Sequence, residues 1–280
     1  MGVIVVVEPC FNGSFVECYL GAKMNNLILK NKLRSGDVCL GSWITFGHSG
    51  IAEIMCNVGF DWLVVDLEHT TISIDQTGEL IRTIDLAGCA PLVRLTSNNS
   101  EQIKRVMDAG AHGIVVPMVN SVEDVKNAIA STRYAPDGTR GVGLARAQGY
   151  GPKFSEYLSW QKDSAVVIPQ IEHKNALDCL EDILSVSGVD GFIIGPYDLS
   201  CSMGMPGEFD HPEFKKAMNY ILKTGIEMGI PGGLHIVEPD PVRLREVIAE
   251  GYRFIAYSVD VRMLDTAARA GIDALEGSSQ

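Results

Sequence analysis

Several features that mark common functional classes are missing from this 280-residue sequence. No apolar run reaches the roughly 18 residues that a transmembrane helix needs. Lys and Arg form no clusters, and the formal net charge is −12, which disfavours nucleic acids and anionic membranes as partners. The seven cysteines include no Cys-x-x-Cys pair. A disulfide framework and a cysteine zinc site are therefore not expected, and a reducing, cytoplasmic location is favoured.

The composition is that of an ordinary globular protein, with 46% hydrophobic and 21% charged residues. A chain of this length is compatible with one (β/α)8 barrel, which typically has about 250 residues. The first 23 residues are apolar at first but lack the basic segment of a signal peptide. We expect residues 1–23 to be an extension outside the fold, with an extra ordered strand as the alternative, and residues 24–280 to form one domain.

Apolar runs of strand length alternate with segments of helical periodicity along the chain. The predicted strands cover residues 38–44, 62–66, 91–95, 113–117, 166–171, 191–195, 232–236 and 254–258. The predicted helices cover 27–33, 49–58, 73–87, 100–109, 175–184, 211–228, 239–250 and 260–270, with a further helix beginning at Ser121. Residues 134–163 interrupt this rhythm and are predicted to be a long loop, either a lid or a surface excursion.

This alternation predicts an α/β fold, a single-domain (β/α)8 TIM barrel. A doubly wound sheet is the alternative, but no glycine-rich fingerprint follows the first strand. Parallel strands of a barrel end on one face, where active sites of such barrels lie. Polar side chains follow several predicted strands: Asp66, Glu68, His69, Arg94, Glu172, Asp198 and His235. Their convergence predicts an active site.

Two of these carboxylates, Glu172 and Asp198, follow adjacent strands. Oxygen ligands with open positions suit a hard divalent cation such as Mg²⁺ or Mn²⁺, although the pair could instead share a proton or bind Arg94. The small Gly195-Pro196 backbone allows the amides of Tyr197 and Asp198 to point at an anion. A cation beside amide donors is suited to a chelating 2-oxo acid.

The remaining groups suggest proton transfer and charge stabilisation. Arg94 is placed to stabilise an enolate at the keto oxygen, and His69 is the natural proton carrier because an imidazole titrates near neutral pH. Asp66 is expected to fix the tautomer of His69. No lysine follows a strand, which disfavours a Schiff-base mechanism. These residues predict carbon–carbon bond cleavage or formation through a metal-bound enolate, with a non-catalytic 2-oxo acid sensor as the alternative.

Residues 28–270 resemble the class II, metal-dependent pyruvate aldolases of the HpcH/HpaI family. The matching stretches are residues 59–62, 66–69, 91–94, 116–119, 140–143, 170–172 and 195–200. The resemblance implies cleavage of a 4-hydroxy-2-oxo acid, such as 4-hydroxy-2-oxoheptanedioate or a 2-keto-3-deoxy sugar acid, to pyruvate and an aldehyde in aromatic or sugar acid catabolism. It implies Mg²⁺, Mn²⁺ or Co²⁺ as the cofactor. Some family members suggest a different activity, a condensation that makes citrate from oxaloacetate in siderophore assembly.

The resemblance also implies residue roles that agree with those above: His69 as the base, Arg94 as the enolate stabiliser, and Glu172 and Asp198 as the metal ligands. It adds Gln170 and the Pro196-Tyr197-Asp198 stretch as substrate contacts; some relatives have a small residue in place of Tyr197, which bears on pocket size. Asp108 matches an acidic residue that makes the histidine more basic. Because Asp108 is expected at the opposite end of its own barrel, that role requires a neighbouring subunit. The family's usual homohexamer, a trimer of dimers that exchange the last helix, fits this requirement.

Overall fold

Eight parallel strands close into a barrel in the computed structural model, which describes residues 27–276. The strands pair in sequence order, and the last pairs with the first. They are β1 (Cys39–Ile44), β2 (Trp62–Asp66), β3 (Ala90–Arg94), β4 (Gly113–Val116), β5 (Val166–Ile171), β6 (Phe192–Ile194), β7 (Gly232–Ile236) and β8 (Phe254–Val259). The predicted (β/α)8 barrel is confirmed. The predicted boundary after residue 23 lies outside the described residues.

The strands alternate with helices that surround the barrel. These are α1 (Leu27–Ser35), α2 (Ser49–Asn57), α3 (Ile74–Leu86), α4 (Ser100–Asp108), α5 (Val122–Thr132), α6 (Phe154–Asp163), α7 (Leu180–Leu184), α8 (Pro196–Ser202), α9 (Pro212–Met228), α10 (Pro241–Glu250) and α11 (Asp260–Glu276). Between residues 27 and 276, none of the helices combines the length and hydropathy that a bilayer crossing requires.

Three regions differ from the sequence-based expectation, and one of them is α8, a helix directly after β6 that was not predicted. Residues 134–163, predicted to be a loop, include a 3-10 turn (Arg146–Gln148) and α6. Helix α6 has no side-chain N-cap, so the usual signal for a helix start is missing from the sequence. The predicted helix over 175–184 is divided into a 3-10 turn (Lys174–Cys179) and the short α7.

The barrel interior and the space between strands and helices form separate apolar layers. Inside the barrel, Trp62 stacks on Phe254 with ring centroids 4.2 Å apart. Gly41 is required beside this stack because a Cβ there would overlap the Trp62 indole. Helix α1 covers one end of the barrel: the Lys30 ammonium is 3.0 Å from a carboxylate oxygen of Asp190 and donates to the Ala165 carbonyl.

The strand register brings the predicted site residues together. Side chains alternate along each strand between the interior and the helix layer. The buried side chains of Val64, Leu92 and Ile168 face the barrel interior. Asp66, Arg94 and Gln170 each lie two residues further along the same three strands and therefore face the interior as well. Asp66 is the register partner of Arg94. These polar side chains therefore meet at the carboxyl end of the barrel.

Candidate active site

A cavity of about 240 Å³ opens at the carboxyl ends of the strands. Its lining comprises Trp43, His69, Arg94, Gln170, Ile193, Ile194, Gly195, Pro196, Tyr197, Asp198, His235 and Val237. The volume is below the range of about 300–1,000 Å³ that is usual for drug-sized ligands. Its position at the carboxyl ends of barrel strands is the usual place for an active site. A cavity of this size and position suits a small polar metabolite.

Arg94 is held rigidly at the edge of this cavity. Its Nε donates to Oδ1 of Asp66 (2.9 Å), and its Nη2 donates to Oδ2 of the same carboxylate (2.7 Å). The guanidinium carbon lies 4.3 Å from the ring centroid of Trp43, within the range of a cation–π contact. The remaining amino group, Nη1, is 3.2 Å from Glu68. Arg94 therefore presents a fixed positive charge beside the cavity.

The position of Asp66 corrects one expectation from the sequence. Asp66 binds the Arg94 side chain and accepts the backbone N–H of Glu68 (3.0 Å) rather than the imidazole of His69. The strand register explains this, because Asp66 and Arg94 are direct neighbours on β2 and β3, whereas His69 lies in the loop beyond β2. The His69 side chain is 65% exposed, and its Nε2 is 3.8 Å from Glu68.

Glu172 follows β5 and is almost completely buried. Its Oε1 accepts the backbone N–H of Met118 (2.6 Å), and its Oε2 accepts from the Gln170 amide. The pKa of Glu172 is raised to about 7, mainly by burial and also by the negative charges of Glu68 and Asp198, against the opposing effect of the Met118 N–H. A cation between these carboxylates would relieve that repulsion.

Gly195 makes room for the Glu172 carboxylate. A Cβ on Gly195 would lie 2.6 Å from Glu172 Oε2 and 3.0 Å from the Gln170 amide nitrogen. Helix α8 starts immediately afterwards with Pro196 at its first position, where a missing N–H costs the helix nothing. Asp198 lies in the first turn of this helix and lines the cavity. Glycine at position 195 thus allows β6 and α8 to approach β5 closely.

The donor set fits a divalent cation that keeps open positions. Within residues 27–276, no group of three or more His, Cys, Asp or Glu side chains is arranged to hold a metal ion. Two carboxylates, Glu172 and Asp198, are the pattern that Mg²⁺ uses when water and substrate supply its other ligands. Burial also raises the pKa of Glu68, and the nearby negative charge of Asp198 contributes to this rise. Arg94 already lies beside Glu68, whereas the repulsion between Glu172 and Asp198 is consistent with a cation held by these two carboxylates.

The structure places Asp108 away from the cavity. Asp108 ends α4, and its carboxylate lies 3.9 Å from Nε of Arg140. It is not among the residues that line the cavity. Its Oδ1 is buried and has no hydrogen-bond partner within the described part of the chain. In this subunit, therefore, Asp108 and His69 are not brought together.

Sequence reasoning missed part of the site. It gave no role to Trp43, which supports Arg94, or to Glu68, which lies beside both Arg94 and His69. A tryptophan near the end of the first predicted strand was the available signal for Trp43. His235 was recognised at a strand end, but its partner, the carbonyl of Ser258 at 3.0 Å, could not be identified without the fold.

Comparison with known proteins gives a consistent result. The description "HpcH/HpaI aldolase/citrate lyase" belongs to the family profile that matches residues 40–267. The chain is 36% identical to a hydroxypyruvate/pyruvate aldolase of Sagittula stellata over 242 residues, which cover 86% of this chain and 94% of the relative. It is 34% identical to a 2-keto-3-deoxy-L-rhamnonate aldolase of Escherichia coli over 249 residues, covering 87% and 92%.

A solved structure supports the same relationship. An HpcH/HpaI aldolase/citrate lyase family protein from Burkholderia cenocepacia superposes with a TM-score of 0.83 and 32% sequence identity, covering 89% of this chain and 99% of that one. The family profile and these relatives each extend over most of the chain. The chain therefore belongs to the HpcH/HpaI aldolase/citrate lyase family.

Proposed function

We propose that this carbon–carbon lyase cleaves a 4-hydroxy-2-oxo acid, such as 4-hydroxy-2-oxoheptanedioate or a 2-keto-3-deoxy sugar acid, to pyruvate and an aldehyde with a divalent cation. The observation that carries the proposal is one small cavity lined by Asp198 and by the fixed charge of Arg94, with the buried Glu172 carboxylate directly behind Gly195 in the cavity wall. The aldolase names of the Sagittula and Escherichia relatives support the reaction class.

Glu172 and Asp198 would hold the cation, which is Mg²⁺, Mn²⁺ or Co²⁺ in this proposal. When bound, such a cation supplies Lewis-acid polarisation of an oxygen ligand. Glu172 is positioned for this task by the Met118 N–H and the Gln170 amide, which leave its carboxylate no freedom to turn away. Gln170 also lines the cavity, and its side-chain carbonyl oxygen has no hydrogen-bond partner among the described residues. We therefore assign Gln170 as a substrate contact.

Arg94 provides the main positive charge from the protein itself. Cleavage of the bond between C3 and C4 leaves negative charge on the keto oxygen of the three-carbon fragment. A preorganised cation beside that oxygen stabilises the transition state without rearrangement. Asp66 and Trp43 fix Arg94 before the substrate arrives. Asp66 therefore acts through Arg94, as a positioning residue.

His69 transfers the proton in this proposal. The C4 hydroxyl must lose a proton when the aldehyde forms, and C3 of the three-carbon fragment must gain one to become the methyl group of pyruvate. An exposed imidazole that lines the cavity can take the first proton and return it in the second step. Pro196, Tyr197 and Asp198 contribute the lining on the side of α8 and complete the proposed substrate contacts.

A homo-oligomer is part of the proposal. Helix α11 leaves the barrel with apolar side chains in solvent, since Leu264 and Ile272 are both 59% exposed. Exchange of this helix between subunits in a hexameric trimer of dimers would cover them. Asp108, which has a buried oxygen without a hydrogen-bond partner in the described residues, would then reach His69 of a neighbouring subunit. A cytoplasmic location is also proposed, supported by the free thiols of Cys39, Cys56, Cys89, Cys179 and Cys201.

Exchange of the pyruvate methyl protons with D2O tests the assigned roles without an aldehyde. His69→Ala is expected to slow this exchange by roughly 10²-fold or more, because general acid–base catalysis contributes about that much. Glu172→Ala is expected to abolish divalent-cation binding in a calorimetric titration. Exchange at the wild-type rate in His69→Ala would remove His69 from the mechanism, and normal cation binding by Glu172→Ala would contradict the metal assignment.

A further inference from the structure

His235 lies in the catalytic cavity but has no part in the chemistry described above. It is on β7, faces the barrel interior and lines the cavity. Its imidazole packs against Trp43 with ring centroids 5.4 Å apart. Trp43 in turn supports Arg94. The position of the His235 ring is therefore fixed relative to the group that is proposed to stabilise the reacting oxygen.

The backbone of β8 fixes the tautomer of this imidazole. Nε2 of His235 is 3.0 Å from the carbonyl oxygen of Ser258. A carbonyl oxygen can only accept, so Nε2 must carry the proton. The Ser258 carbonyl is held in place because it also accepts from the Ser42 hydroxyl (3.1 Å), and because the Ser258 hydroxyl donates to the Val237 carbonyl (2.9 Å).

The conformation of Ser258 is unusual for a residue with a side chain. Its φ is 55°, in the left-handed region that non-glycine residues seldom adopt. The strand pairing of β8 with β1 is irregular at this level, between Gly41 and Trp43. Strained backbone of this kind is retained where surrounding structure enforces it, and it occurs often at functional sites. Here it accompanies the orientation of the Ser258 carbonyl towards His235.

The second ring nitrogen, Nδ1, is an unprotonated acceptor. The pKa of His235 is lowered to about 4, mainly by burial and also by the positive charge of Arg94, against the opposing effect of the Ser258 carbonyl. The imidazole is therefore neutral at pH 7, with its only proton on Nε2. Nδ1 has no hydrogen-bond partner within residues 27–276, and it is not sealed from solvent.

We propose that Nδ1 of His235 accepts a hydrogen bond from a hydroxyl group on the aldehyde-derived part of the substrate, so that the protein selects hydroxyaldehydes over aldehydes without that hydroxyl. This inference rests on the proposed aldolase function. Gln170, Glu172, Asp198 and Arg94 are assigned to the three-carbon fragment. The lining that remains for the rest of the substrate includes the apolar or aromatic Trp43, Tyr197 and Val237 together with His235.

The expected selectivity depends on whether Nδ1 of His235 has a hydrogen-bond partner once the substrate is bound. A substrate hydroxyl satisfies Nδ1, whereas a methyl group at the same place displaces water from Nδ1 and leaves it without a partner. A site built to bond a hydroxyl discriminates strongly against the analogue that lacks it. The predicted substrates are therefore 2-oxo acids whose aldehyde product carries a hydroxyl next to the carbonyl carbon, as in a 2-keto-3-deoxy sugar acid.

The test compares the addition of pyruvate to glycolaldehyde and to propanal, two aldehydes of similar size that differ by a hydroxyl in place of a methyl group. The measured quantity is the ratio of the two kcat/KM values. We expect wild type to favour glycolaldehyde by about tenfold or more, since one hydrogen bond accounts for roughly that factor. His235→Leu is expected to reduce the ratio by about tenfold. His235→Asn, which keeps a polar group near the position of Nδ1, is expected to lie between the two.

His211→Leu is the matched control, because it makes the same substitution at a histidine that precedes α9 and does not line the cavity. Its ratio is expected to stay within about twofold of wild type. A wild-type ratio near one, or a ratio that His235→Leu and His235→Asn leave unchanged, would overturn the inference while the aldolase function stands. A wild type that adds pyruvate to neither aldehyde would instead contradict the proposed function.

The tautomer can be checked independently of activity. Nitrogen-15 NMR of histidine-labelled protein at pH 7 is expected to show His235 as the neutral tautomer protonated at Nε2, with its signals assigned by their loss in His235→Asn. A His235 protonated at Nδ1 would overturn the inference, whatever the aldehyde preference.

Discussion

Arg94 and Asp66 form a two-point ion pair across neighbouring strands, with Nε–Oδ1 and Nη2–Oδ2 distances of 2.9 and 2.7 Å. Both side chains are shielded from solvent, at 13% and 4% exposure. A bidentate guanidinium–carboxylate pair fixes direction as well as charge. The orientation of Arg94 is thus set by the protein before any ligand binds.

Asp66→Asn should therefore impair catalysis more than stability of the fold. An amide can bond Arg94 at one point only and carries no charge, so the guanidinium loses its fixed orientation. We expect kcat/KM for pyruvate formation to fall by about 10²-fold, since misplacement of a catalytic group by about 1 Å costs that much. The matched control is Glu79→Gln, which breaks an exposed carboxylate–arginine pair with Arg82 and should leave kcat/KM within about twofold. An Asp66→Asn enzyme with wild-type kcat/KM would contradict the positioning role.

Glu172 should make the metal-free protein less stable as pH rises. Burial raises its pKa from the usual 4.5 to about 7. Between these values the unfolded chain has lost this proton while the folded protein retains it, so the free energy of unfolding decreases with increasing pH. The shift corresponds to at most about 3 kcal/mol. The unfavourable contribution is absent below pH 4.5 and complete above pH 7.

Glu172→Gln should remove this contribution. A neutral amide keeps an acceptor for Met118 and can donate to the free carbonyl oxygen of Gln170. In chelator, urea unfolding at pH 5 and pH 8 should show the variant gaining stability over wild type by about 1–3 kcal/mol as the pH rises. The prediction fails if the stability difference between the two proteins is the same at both pH values.

Gly195→Ala should weaken the proposed metal site by a steric clash, without changing any charge. The new Cβ would lie 2.6 Å from Glu172 Oε2, so the carboxylate has to move. We expect Mg²⁺ affinity, measured by calorimetry, to fall by about tenfold or more. The control is Gly78→Ala in α3, where a Cβ meets no atom within 4 Å and alanine should stabilise the helix by about 0.5–1 kcal/mol. Equal Mg²⁺ affinity in wild type and Gly195→Ala would contradict the tight packing around Glu172.

Lys30 should be important for stability because it pairs with a buried carboxylate. Lys30→Met would leave Asp190 without its ammonium partner, and removal of one member of a buried pair costs about 3–5 kcal/mol. Adding Asp190→Asn should restore part of that loss. The control, Lys162→Met, breaks a pair whose lysine is 58% exposed and should cost less than about 1 kcal/mol. Denaturant unfolding measures all four proteins, and similar losses for both single lysine variants would contradict the role of α1 in closing the barrel.

The barrel was predictable because its strands are nearly continuous apolar runs with clear helical segments between them. β2, β5 and β7 begin and end at the predicted residues. The elements that were missed lack such local signals. Helix α6 begins without a side-chain cap, and α8 is a seven-residue helix directly after β6, too short to show an amphipathic period.

The clustering of the candidate site residues at one end of the barrel was predictable, but their individual contacts were not. Parallel strands bring their ends to one face, which placed Arg94, Glu172 and Asp198 together. Which carboxylate pairs with Arg94 depends on strand register, and sequence proximity suggested the His69 imidazole as the partner of Asp66 instead. The His235–Ser258 contact joins strands far apart in sequence and depends on an unusual φ at Ser258. No local pattern encodes either contact.

The central claim is that Glu172 and Asp198 bind a divalent cation required for aldol cleavage, and pyruvate release from a 4-hydroxy-2-oxo acid tests it most directly. The protein is stripped with chelator, assayed, and assayed again after addition of Mg²⁺, Mn²⁺ or Co²⁺. We expect pyruvate release to fall by at least about 10²-fold on stripping, because charge stabilisation by a metal ion supplies several kcal/mol, and to recover when at least one of these ions is restored. Undiminished pyruvate release from fully metal-free protein would contradict the account.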